Sequence, residues 1–388
     1  MPKKRAYIVT DWVKGQIRQK FLQTGQRLPT EAELEKRLNI SRNAVRNGLS
    51  QLAQQGWLTY QKNLGYFVSE AAKPLLDRDG PAASSLNIGL LCFFPGHYIF
   101  PEIIAGVTAT IDNPEYNIII KQSEYQVEQE SLALESFLQQ GIIGLIAEPV
   151  VDDERAPNLE LYQQLAQSGI PIIFIDASVP QLRSSSILCH DLQSGRTAAE
   201  TLLQLGYRQF VLFYQDHYLA KTRRIQGARA AFRQYRDVQF VELVFQGQGQ
   251  HSNTCQQCEA FFARTLRHTG RPMAWICSND EEAAIVISVA EHYGWELHRH
   301  YELIAFDNSQ LSRLLHGGFS SFTHPGKLMG RMAARHLLDQ LTEPIKNRHC
   351  AQVLVEPNFI QRNLADYMEL KNRLEVKQKE KESSSNTD

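Results

Sequence analysis

Between Asn87 and Phe306, nine short runs rich in Val, Ile and Leu alternate with stretches of helical periodicity, and this alternation limits the possible folds more than any other feature of the chain. The runs are 87–93, 116–121, 142–146, 170–176, 184–190, 210–214, 238–244, 273–277 and 302–306. Segments such as 102–111, 130–140, 195–206 and 281–294 read as helices between them. Strands that alternate with helices pair in parallel, and helices then cover both sheet faces, so the strands are apolar almost without interruption. That many strand–helix units exceeds one ordinary open sheet. The expectation is an α/β body of two doubly wound lobes, with ligands bound beyond the carboxyl ends of the strands.

The residues at those strand ends are polar and varied. Tyr98 follows the first run, Glu148 the third, and Asp176 ends the fourth. Arg223 and Arg224 follow the sixth, Asn279 and Asp280 the eighth, Asp307 the ninth, and His324 the stretch GFSSFT. Carboxylates, an arginine, an amide and an aromatic hydroxyl together suit a polyhydroxylated ligand, because each hydroxyl both donates and accepts. A buried polar pocket also rejects analogues that leave it unpaired. Any one of these residues alone reads equally well as a helix cap, Asp280 above all, since it directly precedes 281–294.

Upstream the pattern changes. Val9, Val13, Ile17 and Phe21 recur every four residues, one stripe of a first helix that Gly25 breaks. Thr30-x-x-Glu33 is a capping box opening a second helix with Leu34 and Leu38 inward. After a turn at Asn39-Ile40, Ser41 caps a third helix whose Val45, Leu49 and Leu52 face the core and which ends at Gly56. The strands WLTY and YFV then form a hairpin, with Asn63 and Gly65 placed to take positive φ. Helix, helix-turn-helix and hairpin is the winged-helix order. Arg42, Asn43 and Arg46 project from the start of the third helix, where such proteins reach base edges. Arginine pairs with guanine and asparagine with adenine, a helix N-terminus favours phosphate, and Lys62 at the hairpin tip is placed for backbone or minor groove. Residues 1–73 hold 13 Lys and Arg against 5 Asp and Glu, a surplus of eight positive charges in a chain of net −1. A head that meets a polyanion and a merely solvated basic face both fit that charge. A helical dimerisation module is the other reading of the same helices.

The string LPTEAELEKRLNISRNAVRNGLSQLAQQGWLTYQKNLGYFV resembles the GntR winged-helix family throughout, by LPxExEL, SRxxVRxxLxxLxxxGxL and a glycine wing ending FV. The resemblance implies DNA contacts at Arg42, Asn43, Ala44 and Arg46 and at the wing near Gly65. Many members carry Thr where Ala44 stands, and some carry Arg at Ala32. From Leu86 to Asn363 the chain resembles LacI/GalR regulators and periplasmic sugar-binding proteins, by IGLL, GIPIIFID, RRIQGARAAF, CSND, the AFD strand end and SSFTHPGKLMGRMAARHLL. The pairing is similar to that of the arabinose-responsive repressors, with YIFPEII, GLIAEP, PNLELYQQL and THP as further echoes. It implies effector contacts at Tyr98, Glu148, Asp176, Arg224, Asn279, Asp280, Asp307 and His324. Phe306 and Asn308 flank Asp307 where relatives often have Tyr and a second Asp. By this resemblance the chain is a homodimeric repressor of carbohydrate-utilisation genes. It would bind double-stranded operator DNA and be released by a sugar, L-arabinose first among them. A different sugar or a nucleoside as effector, and a GntR-fused aminotransferase-like regulator, are the alternatives. The body lacks the length and motifs of the last.

These readings divide the chain into a winged helix at 1–70, a Pro- and Ser-containing linker at 71–86, an effector-binding body at 87–364 and a charged tail at 365–388 expected to be disordered. No apolar run approaches the ~20 residues that span a bilayer. The start MPKKRAY has no apolar h-region, which speaks for a cytoplasmic protein and against a transport binding protein. The six cysteines then read as reduced thiols. GxSxG, GxxxxGK[ST] and HExxH do not occur, so neither enzyme chemistry nor a cofactor is expected. Cys255-x-x-Cys258 near His251 and His268 reads either as a zinc cluster or as small buried residues of a helix. Without a second close ligand pair no metal is expected. His97, His190 and His217 lie near strand ends without a nucleophile.

Overall fold

A computed structural model describes residues 9–72, 86–246, 251–264 and 272–376, apart from 11, 18–20, 39, 63, 97, 152–154 and 374. In the head the capping box forms as read. The Thr30 N–H donates to Glu33 Oε2 at 2.7 Å, and the Glu33 N–H donates to Thr30 Oγ1 at 3.3 Å. This opens the helix Glu31–Leu38, and the helix Arg42–Gln54 follows. Val9, Val13, Ile17, Leu34, Val45, Leu49 and Leu52 share one core with Trp57 and Leu58. Two expectations are corrected. Phe21 is half exposed, because the helical stretch within 9–17 has given way to a bend by that residue and Leu22 takes the core position instead. Ser41 makes no side-chain cap; Glu35 of the preceding helix accepts the Arg42 N–H at 3.2 Å in its place. Strands β1 (Leu58–Gln61) and β2 (Gly65–Val68) pair antiparallel as the wing. Gly65 takes φ +98°, a conformation only glycine adopts without strain. Asn39 and Asn63 lie outside the described residues.

Two six-stranded sheets make up the body. The first contains β3 (Leu86–Cys92), β4 (Tyr116–Gln122), β5 (Gly144–Ala147), β6 (Ile172–Ile175), β7 (Ser185–Cys189) and β13 (Gln352–Val355), in the order β13-β7-β6-β5-β3-β4 and parallel throughout. The second contains β8 (Gln209–Gln215), β9 (Gln239–Phe245), β10 (Met273–Cys277), β11 (Tyr301–Asp307), β12 (Ser320–Thr323) and β14 (Phe359–Ile360), in the order β14-β12-β11-β10-β8-β9. Only β14 runs antiparallel, against β12. All nine expected runs are strands, and β12, β13 and β14 are additional. Those three are short, and β12 is the serine-rich SSFT, which carries little β-branched signal.

The chain crosses between the lobes after β7, after β12 and after β13. Helix Asp191–Gln204 therefore packs in the second lobe, and helix Gly326–Thr342 returns to the first. Helices Asp191–Gln204 and Leu219–Phe232 touch backbone to backbone. A Cβ on Gly195 would lie 1.8 Å from the Arg224 carbonyl oxygen, and one on Gly227 would lie 2.0 Å from that of Leu192. That approach brings Asp191 beside Arg224. The expectation of a disordered tail from 365 is corrected at its start. Residues 367–373 are helical, with Ala365 and Leu370 buried in the second lobe's core, because the segment carries an apolar face the composition argument overlooked. The linker 73–85 and residues 377–388 lie outside the described residues. No described helix is long and apolar enough to cross a membrane.

Candidate interlobe ligand site and DNA-reading face

The carboxyl ends of both sheets face one another, and the eight expected effector residues meet there. On the second lobe, Arg224 is 6% exposed. Its Nε donates to Asp191 Oδ1 at 2.7 Å and its Nη1 to the Ser278 carbonyl at 2.8 Å. Nη1 also stands 3.0 Å from Asp307 Oδ1, and the guanidinium lies over the Phe306 ring. Burial works against the charge on Arg224, but Asp307 and Asp191 outweigh it and keep the guanidinium firmly protonated. Asp280 is fully buried. Its Oδ2 accepts from the Ser309 N–H at 2.6 Å and from Ser309 Oγ at 2.9 Å, and its Oδ1 accepts from Ser321 Oγ at 2.7 Å. The helix Asp280–His292 is capped not by Asp280 but by Asn279, whose Oδ1 accepts the Glu282 N–H at 2.9 Å. The cap reading thus falls on Asn279, which leaves that residue its amide NH2 and one lone pair of Oδ1 for a ligand.

Burial, and then the nearby Asp307, push the Asp280 carboxyl up to about 7. Because its ordinary value is 3.8, the folded protein holds this proton across an interval where the unfolded chain has released it. The contribution of Asp280 to stability is therefore complete below about pH 4 and is lost as pH rises through about 7. Asp280→Asn, which cannot ionise, is expected to gain in thermal midpoint relative to the parent between those two pH values. An equal gap at pH 4 and pH 7.5 would show that Asp280 titrates normally.

The first lobe offers a second wall. His324 Nε2 lies 3.0 and 3.1 Å from the two Asp176 oxygens. Burial disfavours the imidazolium, but Asp176 overrides it and holds His324 well above the usual histidine range. Glu148, 6% exposed, is pushed well up by burial and by Asp176 beside it. Tyr98 joins the walls: its hydroxyl donates to Asp307 Oδ2 at 2.8 Å and accepts the Asp280 N–H at 3.2 Å. Tyr98, Asp176 and Asp307 all adopt positive φ (60°, 59° and 96°), and backbone strain of this kind gathers at ligand clamps. Glu148 Oε2 on the first lobe is buried without a hydrogen-bond donor among the described residues, whereas Asp307 Oδ1 on the second faces the Arg224 guanidinium.

Several residues of this network gave no sequence signal. Asp191 lies 33 positions from Arg224 and reads as the opening of a helix. Ser309 and Ser321 satisfy Asp280. Glu130, buried on helix Val127–Gln139, accepts from the Val150 N–H and the Tyr162 hydroxyl, each at 2.7 Å, and so anchors the loop that carries Glu148. Cys258 is buried in the core beside Phe262 and Trp275, in line with the small-buried-residue reading, whereas His268 lies outside the described residues.

On the head, Arg42, Asn43 and Arg46 are exposed on one face at the start of the third helix. Both arginines lean on Glu31, Arg42 Nε at 3.5 Å and Arg46 Nη2 at 3.1 Å. Lys62 is exposed on the hairpin beside Gly65, which is partly exposed. Ala44 is placed differently from these three. Two residues past Arg42, it turns about 200° round the helix, and it is 7% exposed in the head's own packing.

The sequence profile of bacterial regulatory proteins of the gntR family matches residues 8–68, and that of the periplasmic binding protein-like domain matches 199–363. The chain is 28% identical over 366 residues to an arabinose metabolism transcriptional repressor of Halalkalibacterium halodurans, covering 91% of this chain and 95% of the relative. It is 26% identical to that of Geobacillus stearothermophilus, covering 87% and 91%. These relatives are transcriptional repressors, not enzymes. Among solved structures, a LacI family transcriptional regulator from Enterococcus faecium with bound ribose superposes with a TM-score of 0.61 at 19% identity, over 72% of this chain and 99% of that one. A dimeric Lac repressor gives 0.62 at 18%, over 73% and 100%. The chain thus carries a winged helix that matches the gntR-family regulatory domain, joined to a body of two parallel-sheet lobes that matches the periplasmic binding protein-like domain over 199–363 and shares the fold of LacI-family regulator structures.

Proposed function

We propose that the chain is a cytoplasmic, homodimeric transcriptional repressor of sugar-utilisation genes, released from its operator when a sugar, L-arabinose first among the candidates, binds between the lobes. The observation that carries this reading is Glu148 Oε2, a buried carboxylate oxygen with no hydrogen-bond donor among the described residues, set on the first lobe opposite the buried Arg224–Asp307 pair of the second. A buried acceptor left unpaired is costly, and a ligand hydroxyl reaching Glu148 would satisfy it. A pentose presents hydroxyls around its ring, so one molecule can donate to both walls and draw the lobes together. Tyr98, Asp176, Arg224, Asn279, Asp280 and His324 complete the contact set. The relatives support the sugar, since the two with the most extensive matches quoted above are arabinose repressors. The winged helix supports the DNA: two copies in a dimer would place two helices Arg42–Gln54 on the half-sites of one operator.

Sugar acts on DNA binding only through its differential affinity for the closed body. The test selects an operator from a random duplex pool with the full chain and then titrates that complex with L-arabinose and D-ribose. Release at micromolar to millimolar L-arabinose is expected. Operator affinity unchanged by millimolar L-arabinose would remove arabinose as effector, and release by ribose alone would reassign it.

A further inference from the structure

We infer that Tyr125 and Tyr218 form an aromatic latch across the seam between the lobes, two positioning residues that hold the body closed and so set how much sugar its closure requires. The latch itself does not depend on a ligand; its effect on release rests on the sugar reading above. Neither residue belongs to the contact set proposed for the sugar.

Tyr125 stands on the first lobe, between β4 and helix Val127–Gln139, and Tyr218 on the second, in the loop from β8 to helix Leu219–Phe232. Their ring centroids are 4.2 Å apart, and Tyr218 packs against the first lobe's core. The next residue, Leu219, packs against the core on the other face of the same sheet, so the loop straddles the carboxyl edge of the first lobe. Each ring is braced from its own side. Phe93 meets Tyr125 edge to face at 4.7 Å. The His217 ring lies 4.4 Å from that of Tyr218, and Lys221 Nζ lies 4.7 Å from its centroid. Lys221 is fixed in turn by Gln215 Oε1 at 2.6 Å and Glu282 Oε1 at 2.8 Å.

The Tyr125 hydroxyl lies against two carbonyls, that of Val151 on the first lobe at 2.9 Å and that of His217 on the second. One hydroxyl proton serves one carbonyl at a time, so the donor can pass from Val151 to His217 as the lobes meet and return as they part. What closure adds is the stack and the burial of Tyr218. The backbone is set for this contact: Glu124 and Tyr125 both take positive φ, 52° and 55°. Strain of this kind in two successive residues collects at clamps and switches, and here it accompanies a Tyr125 ring that is 4% exposed against the opposite lobe. The latch loop runs straight into the helix that carries Arg224 on the ligand wall. A ligand's apparent affinity scales with the fraction of the protein in the binding-competent state, so removing the stack lowers it without touching a ligand contact.

The test uses the full chain with Cys255→Ser and Cys350→Ser, which leaves Cys92, Cys189, Cys258 and Cys277, all buried. Spin labels are attached through Glu135→Cys on the first lobe and Gln234→Cys on the second, both exposed positions. Without sugar, the interlobe distance distribution should contain a short-distance population that Tyr218→Ala shifts to longer distances and Tyr218→Phe restores. Tyr218→Ala should also need about tenfold more L-arabinose to release operator. Tyr125→Phe keeps the ring and loses the proton shared by the two carbonyls; it should give a smaller shift in the same direction, and serves if Tyr218→Ala fails to fold. A parent without the short-distance population, or a distribution unchanged in Tyr218→Ala or Tyr125→Phe, would overturn the latch. Release of operator from Tyr218→Ala at the parent's sugar concentration would overturn its role in the response. Shifted distances with no release by sugar even in the parent would leave the latch standing and remove the sugar reading instead.

Discussion

Replacing Arg224 by alanine is expected to lower the thermal midpoint of the body by roughly 10 °C and to abolish its response to sugar. The guanidinium is buried between two carboxylates and a carbonyl, at 2.7 Å from Asp191, 3.0 Å from Asp307 and 2.8 Å from Ser278. Its removal leaves two buried acids without a counter-charge, a change that costs about 3–5 kcal/mol when one partner of a buried pair is deleted. At about 2–4 °C per kcal/mol for a domain of this size, that is the shift stated. The loss measures an orphaned pair, not the net worth of the ion pair. Arg224→Met/Asp191→Asn/Asp307→Asn, which removes the charges together, should therefore recover much of the midpoint by calorimetry. It should still fail to answer sugar, because Arg224 and Asp307 both belong to the contact set proposed for the ligand. Below the midpoint, operator binding by the single variant should persist, since the head's core of Val45, Leu49 and Leu52 is its own. A single variant as stable as the parent would mean that the two acids are solvated or protonated and that the buried pair is not a pillar of the lobe.

Most of the architecture was legible because it rests on periodicity. Apolar runs such as Ile172–Ile175, short and set between helical stretches, read as strands covered on both faces, and the spacing of Val45, Leu49 and Leu52 leaves Arg42 and Arg46 on the opposite side. The strand-end residues were legible for a related reason: a parallel sheet fixes where its carboxyl ends lie. What the sequence hid was pairing across distance. Nothing in the local pattern around Asp191 points to Arg224; the contact follows from two helices meeting at Gly195 and Gly227 without intervening side chains.

Arg42→Ala and Arg46→Ala should each weaken operator binding by roughly 10- to 100-fold, with little effect on unrelated duplex. Both side chains are exposed at the first turns of the helix that a winged helix lays in the major groove, and both reach forward far enough to share Glu31. Ion pairs this exposed are weak and screened, so DNA gives up little in separating them. Glu31 nonetheless matters to how the two effects combine. Each arginine restrains the carboxylate that restrains the other, so the double variant should depart from the product of the singles, as expected for neighbours with a common partner. Lys62 provides the contrast. On the exposed hairpin it is placed for phosphate, so Lys62→Ala should weaken operator and unrelated duplex alike and lower the salt dependence of binding by about one ion. The pattern separates base reading from backbone contact by fluorescence anisotropy at several salt concentrations. If Arg42→Ala and Arg46→Ala bound operator as tightly as the parent, or lost both duplexes equally, the helix Arg42–Gln54 would not be reading bases. The head's specificity would then have to come from the wing.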